Sequence, residues 1–168
     1  MPRLRLTGID EGYSVLVSTK LSGADDPEIV LYAVLKLFPD FTCGLPEKPS
    51  FPTKQDDVLA AEGVSLKTFL EAINNQEILD TSLDSMSANL DDSGTIFHIS
   101  RQAAMAGKVA FPLPDDNPLG GVITVEIGGE NLADWLEAAT WHSGRENIPR
   151  RIGDEFTMDE KGDAVIWH

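Results

Sequence analysis

Arg101, Gln102 and Lys108 are the residues whose types and spacing best suit a chemical task. They flank the run Arg101-Gln102-Ala103-Ala104-Met105-Ala106-Gly107-Lys108, which lies between two strand-like segments. Side chains at the two ends of one tight turn can converge on a phosphate or a carboxylate, the guanidinium as a forked contact and the ammonium as a point charge. The trio is therefore the candidate anion- or RNA-binding site. The competing account is structural. Arg101 and Lys108 would cap or bridge neighbouring acids, and Gln102 would tie down loop backbone, in a chain with 28 acidic residues against 13 basic ones. Gly107 and Gly120-Gly121 read as turn geometry rather than a phosphate cradle.

The other chemistry-bearing residues form no recognisable set. His98, His142 and His168 are too scattered for metal-ligand spacing, so no metal is expected. Asp91-Asp92 lacks the alternating oxygen ligands and closing glutamate of an EF-hand. No G-x-x-x-x-G-K-[ST] phosphate loop occurs. The lone Cys43 can form neither an internal disulfide nor a zinc site, and it reads as a small apolar residue in a reducing cytosol. Arg145, Arg150 and Arg151 make one local basic cluster, diluted by Glu146, Asp154 and Glu155, which reads as a solvated tail. Trp135 reads as core. Trp141 and Trp167 read as edge-of-core or partner contacts. No catalytic residue stands out, and no cofactor is implied.

Elements must position these residues. A chain of 168 residues with 42% hydrophobic content suits one core-building domain, taken as residues 1–141, followed by a tail over 142–168 that is partly ordered or disordered. Gly12 to Leu21 alternates as a half-buried strand. Asp26 caps and Pro27 opens a helix whose stripe is Val30, Ala33, Val34, Leu37 and Phe38, ended by Pro39. Asp40 to Leu45 suggests a short strand, and Pro46, Pro49 and Pro52 mark an irregular segment. Ser65 caps a helical region with Leu66, Phe69, Leu70 and Ile73 on one face. Asn74-Asn75 weakens it before Ile78, Leu79, Leu83 and Met86, giving two helices or one kinked helix. After an Asp91-Asp92-Ser93-Gly94 turn come a strand over Thr95 to Ser100, a helical turn over Arg101 to Ala106 and a strand through Val109, Phe111 and Leu113. A further strand, Val122 to Ile127, and a helix capped by Asn131 and carrying Leu132, Trp135, Leu136 and Ala139 follow. This order predicts an α+β fold, a mixed and largely antiparallel sheet with helices packed on one face.

The formal charge of -15 bears on partners. An acidic surface stays hydrated and repels nucleic acid, whose phosphates reward lysine and arginine. A salt-rich cytoplasm, where screening relieves self-repulsion, is a sharper reading of the same charge. No apolar window approaches the length of a membrane span, so a soluble, cytoplasmic protein with no membrane partner is expected.

Several phrases carry a family resemblance: Ala33-Val34-Leu35-Lys36-Leu37-Phe38-Pro39-Asp40, Gln76-Glu77-Ile78-Leu79-Asp80-Thr81, Arg101 through Phe111, and Pro118-Leu119-Gly120. In order and spacing, over roughly residues 12 to 140, the chain resembles an archaeal set known as uncharacterised protein family two hundred and one. The resemblance implies an archaeal source, a fold like that of the RNA-binding ribosomal protein L5, and a homodimer. It also implies a nucleotide-kinase-like protein as a possible partner, because some relatives look fused to such a domain. The family name itself assigns no activity.

Three functions are open at this point. The first is a non-catalytic dimeric interaction or accessory module, with RNA binding through a local basic patch as a variant that the charge disfavours. The second is an enzyme using surface carboxylates, with an anion holder at Arg101 or Lys108. The third is a purely structural dimer.

Overall fold

The computed structural model describes residues 6–22, 25–42, 57–113 and 120–146. Alternation in Ser14–Leu21 (β1) turns Val15, Val17, Thr19 and Leu21 to the core and leaves Ser14, Leu16, Ser18 and Lys20 on the other face. Asp26 then caps Pro27–Leu37 (α1) by accepting the Glu28 N–H at 3.0 Å, and Pro27 occupies the first turn without wasting a donor. Asp57–Glu62 (β2) follows, then two separate helices, Lys67–Asn75 (α2) and Leu79–Ser87 (α3). Gly94–Ser100 (β3), the single turn Arg101–Met105 (α4), Val122–Gly128 (β4) and Leu132–Ala139 (α5) complete the order before a 3-10 turn over Ser143–Glu146.

The sheet order is β2-β1-β4-β3, and all three pairings are antiparallel. The α+β expectation holds, and among the described residues the sheet is antiparallel throughout, with no parallel pair. One face is buried: Leu59, Phe97, Ile99, Ile123, Val125 and Ile127 join the β1 residues under Val34, Leu37, Ile73, Leu83, Met86 and Leu136 of the helices. A relay of rings runs through this layer, with Phe38 and Phe69 centroids 5.9 Å apart, Phe69 and Phe97 5.8 Å, and Phe97 and Phe111 6.4 Å. The other face carries half-buried and exposed side chains.

Four local expectations change. β2 is unexpected, because its Asp-Val-Leu-Ala-Ala-Glu sequence has weak strand propensity, yet Leu59 and Ala61 are buried in register with β1. Val109 to Leu113 is not a strand. The Gln76 side chain takes the Val109 backbone instead, donating from Nε2 to its carbonyl at 2.9 Å and accepting its N–H on Oε1 at 2.7 Å. Asn131 makes no side-chain cap. It adopts φ 58°, a left-handed conformation that asparagine tolerates, and its carbonyl accepts the Tyr13 hydroxyl. Asp40 to Thr42 is not strand, and the rest of that segment, with Cys43 and the prolines at 46, 49 and 52, lies outside the described residues. So do residues 147–168, including Arg150, Arg151 and Trp167.

Candidate functional site

Arg101 opens α4, where the Ser100 hydroxyl accepts the Ala103 N–H at 3.2 Å and orients the turn. Its guanidinium is buried. One terminal nitrogen donates to Thr19 Oγ1 and to the Lys20 carbonyl, both at 2.8 Å, and the other pairs with Asp25 Oδ2 at 2.8 Å. Gly121 makes this possible: at φ 80° it has no side chain where a Cβ would lie 3.1 Å from the guanidinium, and its carbonyl accepts the Arg101 N–H. Partial burial works against ionisation of Asp25, but hydrogen bonds from Ser22 and Arg101, together with the Arg101 charge, hold its carboxyl below the ordinary value. The arginine thus ties β1, the approach to α1, α4 and the loop before β4 into one knot.

Gln102 and Lys108 are exposed, and Gln102 lies beside Gly120. Of the sequence-identified trio, only Arg101 turns inward, and its neighbouring acid is Asp25. The basic residues also divide by layer. Lys20 stands on the open sheet face, whereas the Lys36 ammonium lies 4.6 Å over the Tyr32 ring on the outside of α1.

A second polar centre was not visible in the sequence. Asp80, in the first turn of α3, accepts His142 Nε2 at 3.0 Å and Arg145 Nε at 2.9 Å on the same oxygen. Arg145 also donates to the Glu137 carbonyl at 3.1 Å and to Thr140 Oγ1 at 3.0 Å, closing the C-terminal end of α5. It is buried, not part of a solvated tail. Burial raises the Asp80 carboxyl, but hydrogen bonds from His142 and Arg145 and their charges outweigh it, so its pKa is lowered. The sequence signal was an arginine just beyond an amphipathic helix, where it can meet the last carbonyls.

The open sheet face holds two shallow depressions at opposite ends. One, of about 520 Å³, is lined by Ser18, Lys20, Val58, His98 and Thr124 with Arg101 at its wall; His98 Nδ1 is 2.9 Å from Thr124 Oγ1. The other, of about 640 Å³, is lined by Leu16, Glu62, Asp91, Ile96 and Glu126. Asp25 lines the first depression as well and pairs with Arg101, so among the described residues the sheet shows a single unpaired base, Lys20, at one end and Glu62, Asp91 and Glu126 at the other. Among the described residues no cluster of three or more histidine, cysteine, aspartate or glutamate side chains could hold a metal, and no helix is long and apolar enough to cross a membrane.

No protein-family model matches the chain. It is 31% identical over 132 residues to a UPF0201 protein of Sulfurisphaera tokodaii, covering 75% of this chain and 88% of that one. It is 29% identical over 142 residues to a UPF0201 protein of Methanothermobacter thermautotrophicus, covering 83% and 98%. The crystal structure of a UPF0201 protein from Methanococcus jannaschii superposes with a TM-score of 0.65 at 22% identity, over 76% of this chain and 99% of that one, which shows a common fold. The identity and coverage shared with the Sulfurisphaera protein, joined to that common fold, place this chain in the archaeal UPF0201 family of uncharacterised proteins.

Proposed function

We propose that this chain is a non-catalytic, self-associating interaction module that serves as a cytoplasmic accessory protein. One observation carries the reading: the buried arginines, which an anion site would need, are engaged inside the fold, Arg101 by Asp25 and Arg145 by Asp80. What remains outside is mostly acid, with Lys20, Lys36 and Lys108 dispersed in it, an open sheet face, and large apolar side chains at Ile29, Tyr32, Leu35 and Met105. Exposed groups of that kind serve contact with protein better than contact with phosphate.

An enzyme with surface carboxylates as acid and base would need one of them poised to accept and return a proton near neutral pH. The carboxylate beside Arg101 is displaced the other way, which supports the non-catalytic reading. The RNA variant needs a contiguous cationic face, and Lys20 and Lys36 stand on opposite sides of the sheet layer. The family resemblance makes a nucleotide-kinase-like protein the first protein partner to seek.

The test is a native pull-down from the source organism with identification of both protein and RNA, paired with sedimentation of the purified chain at micromolar concentration. Protein co-purification, a dimeric sedimentation profile and no RNA association even at low salt are expected. RNA capture whose affinity falls steeply with salt would overturn the reading in favour of phosphate contacts.

A further inference from the structure

We propose that the open face of the sheet is the surface on which a second copy of this chain docks, with Lys20 of each copy seated between Glu62 and Glu126 of the other. The inference rests on the self-association reading above and names its surface. Strand register arranges the face in rows. Glu62, Leu16, Glu126 and Ile96 lie side by side in one row, and Ala60, Ser18, Thr124 and His98 in the next. Lys20 and Val58 pair in the row beyond. Lys20 thus stands about 13 Å along β1 from the acidic row, on the same face, because four residues separate it from Leu16 and the side-chain period is two.

A two-fold axis lying between two stacked sheets, perpendicular to the strands and over the Ser18 row, reverses each strand against its copy. That operation superimposes the Lys20 row on the partner's Leu16 row. Each lysine then falls between two glutamates, and its methylene stem covers Leu16. The contact is made twice, once in each direction, as a two-fold interface requires. Both glutamates and the lysine are exposed in the single chain, so no internal pair has to be broken first. Val58, Leu16, Ile96 and Val122 supply the apolar ground, with Val58 54% exposed.

The charge pattern selects this occupant. A nucleic acid would be repelled by the acidic row, and a uniformly basic peptide would be held by that row alone and leave Lys20 without an acid. A surface bearing both signs at a fixed spacing is complementary to its own copy turned around. The four strands offer a face of roughly 20 Å by 25 Å. That corresponds to an interface on the order of 1,000 Å² in total, near the lower limit for specific association, so the dimer should be concentration dependent.

Charge exchange tests it. Lys20→Glu alone, and Glu62→Lys with Glu126→Lys together in a second variant, each place like charges at both contacts. Each should weaken self-association by about tenfold or more in sedimentation equilibrium. An equimolar mixture of the two variants restores both contacts and should dimerise as the unchanged chain does, an outcome unfolded variants cannot produce. A short bismaleimide should also link Ser18→Cys, in a Cys43→Ser background, to its own copy across the axis. If the unchanged chain dimerises but the exchanges have no effect, the mixture fails to recover, or the crosslink does not form, the surface is wrong while self-association stands. A monomer throughout overturns both.

Discussion

Loss of either member of the Arg101–Asp25 pair has unequal consequences. Arg101→Met removes a guanidinium that satisfies Thr19, the Lys20 carbonyl and Asp25, and should cost about 3 kcal/mol because the acceptors remain sequestered. Asp25→Asn keeps the shape and loses the charge, and at neutral pH should cost about 1–2 kcal/mol. Its pH dependence follows from sign. The folded carboxyl titrates below its ordinary value of 3.8, so the contribution is complete above that pH and is lost as pH falls through the lowered folded value. Urea unfolding from pH 6 downward should show the stability gap between the unchanged chain and Asp25→Asn to be constant above about pH 5 and to narrow in acid. A gap independent of pH would mean that the pair contributes no charge-dependent stability.

The stretch after α4 shows how one side chain can stand in for a strand neighbour. Gln76, just past the end of α2, offers a donor and an acceptor with the spacing of a ladder pair, and Val109 takes both. The Ser100 N–H to Ala110 carbonyl bond then holds the other side at 2.8 Å, so the segment is satisfied without joining the sheet. Gln76→Ala leaves a buried backbone N–H and C=O without these partners and should cost about 2–3 kcal/mol, read by chemical denaturation. Gln76→Glu keeps the acceptor but sets a carboxylate oxygen against the Val109 carbonyl, and at neutral pH should cost at least as much as the alanine variant. The alternation of Val109, Phe111 and Leu113 was legible as apolar spacing; that a glutamine 33 residues earlier would occupy its hydrogen bonds was not. Likewise β2 lacks strand-like composition and forms because β1 presents a free edge and the core accepts Leu59 and Ala61.

A net charge of -15 on a chain this short makes folding a contest between burial and self-repulsion. Added salt should therefore raise the thermal midpoint, most steeply at low ionic strength where the screening length shortens fastest. A scan from about 0.02 to 1 M sodium chloride checks this, and a midpoint that falls with salt would show that internal ion pairs outweigh the repulsion. On association the same salt acts on two opposed contributions, weakening the Lys20 contacts while relieving the repulsion between two chains of charge -15.

Alternating and helical apolar periods in the sequence were sufficient for β1, α1, the α2 and α3 pair, β3, β4 and α5, because these elements bury whole faces and the burial dictates the spacing. Composition likewise established an acidic chain poorly suited to phosphate. The fates of Arg101 and Arg145 were a different matter, since an arginine looks the same in sequence whether it faces solvent or a buried carboxylate. Asp25 and Asp80 come within 2.8 and 2.9 Å of them only when β1 lies against β4 and α3 against α5. The opposed charges on the open sheet face arise in the same way, from antiparallel register setting Leu16 opposite Glu62 and Glu126 while Lys20 stays at the far end.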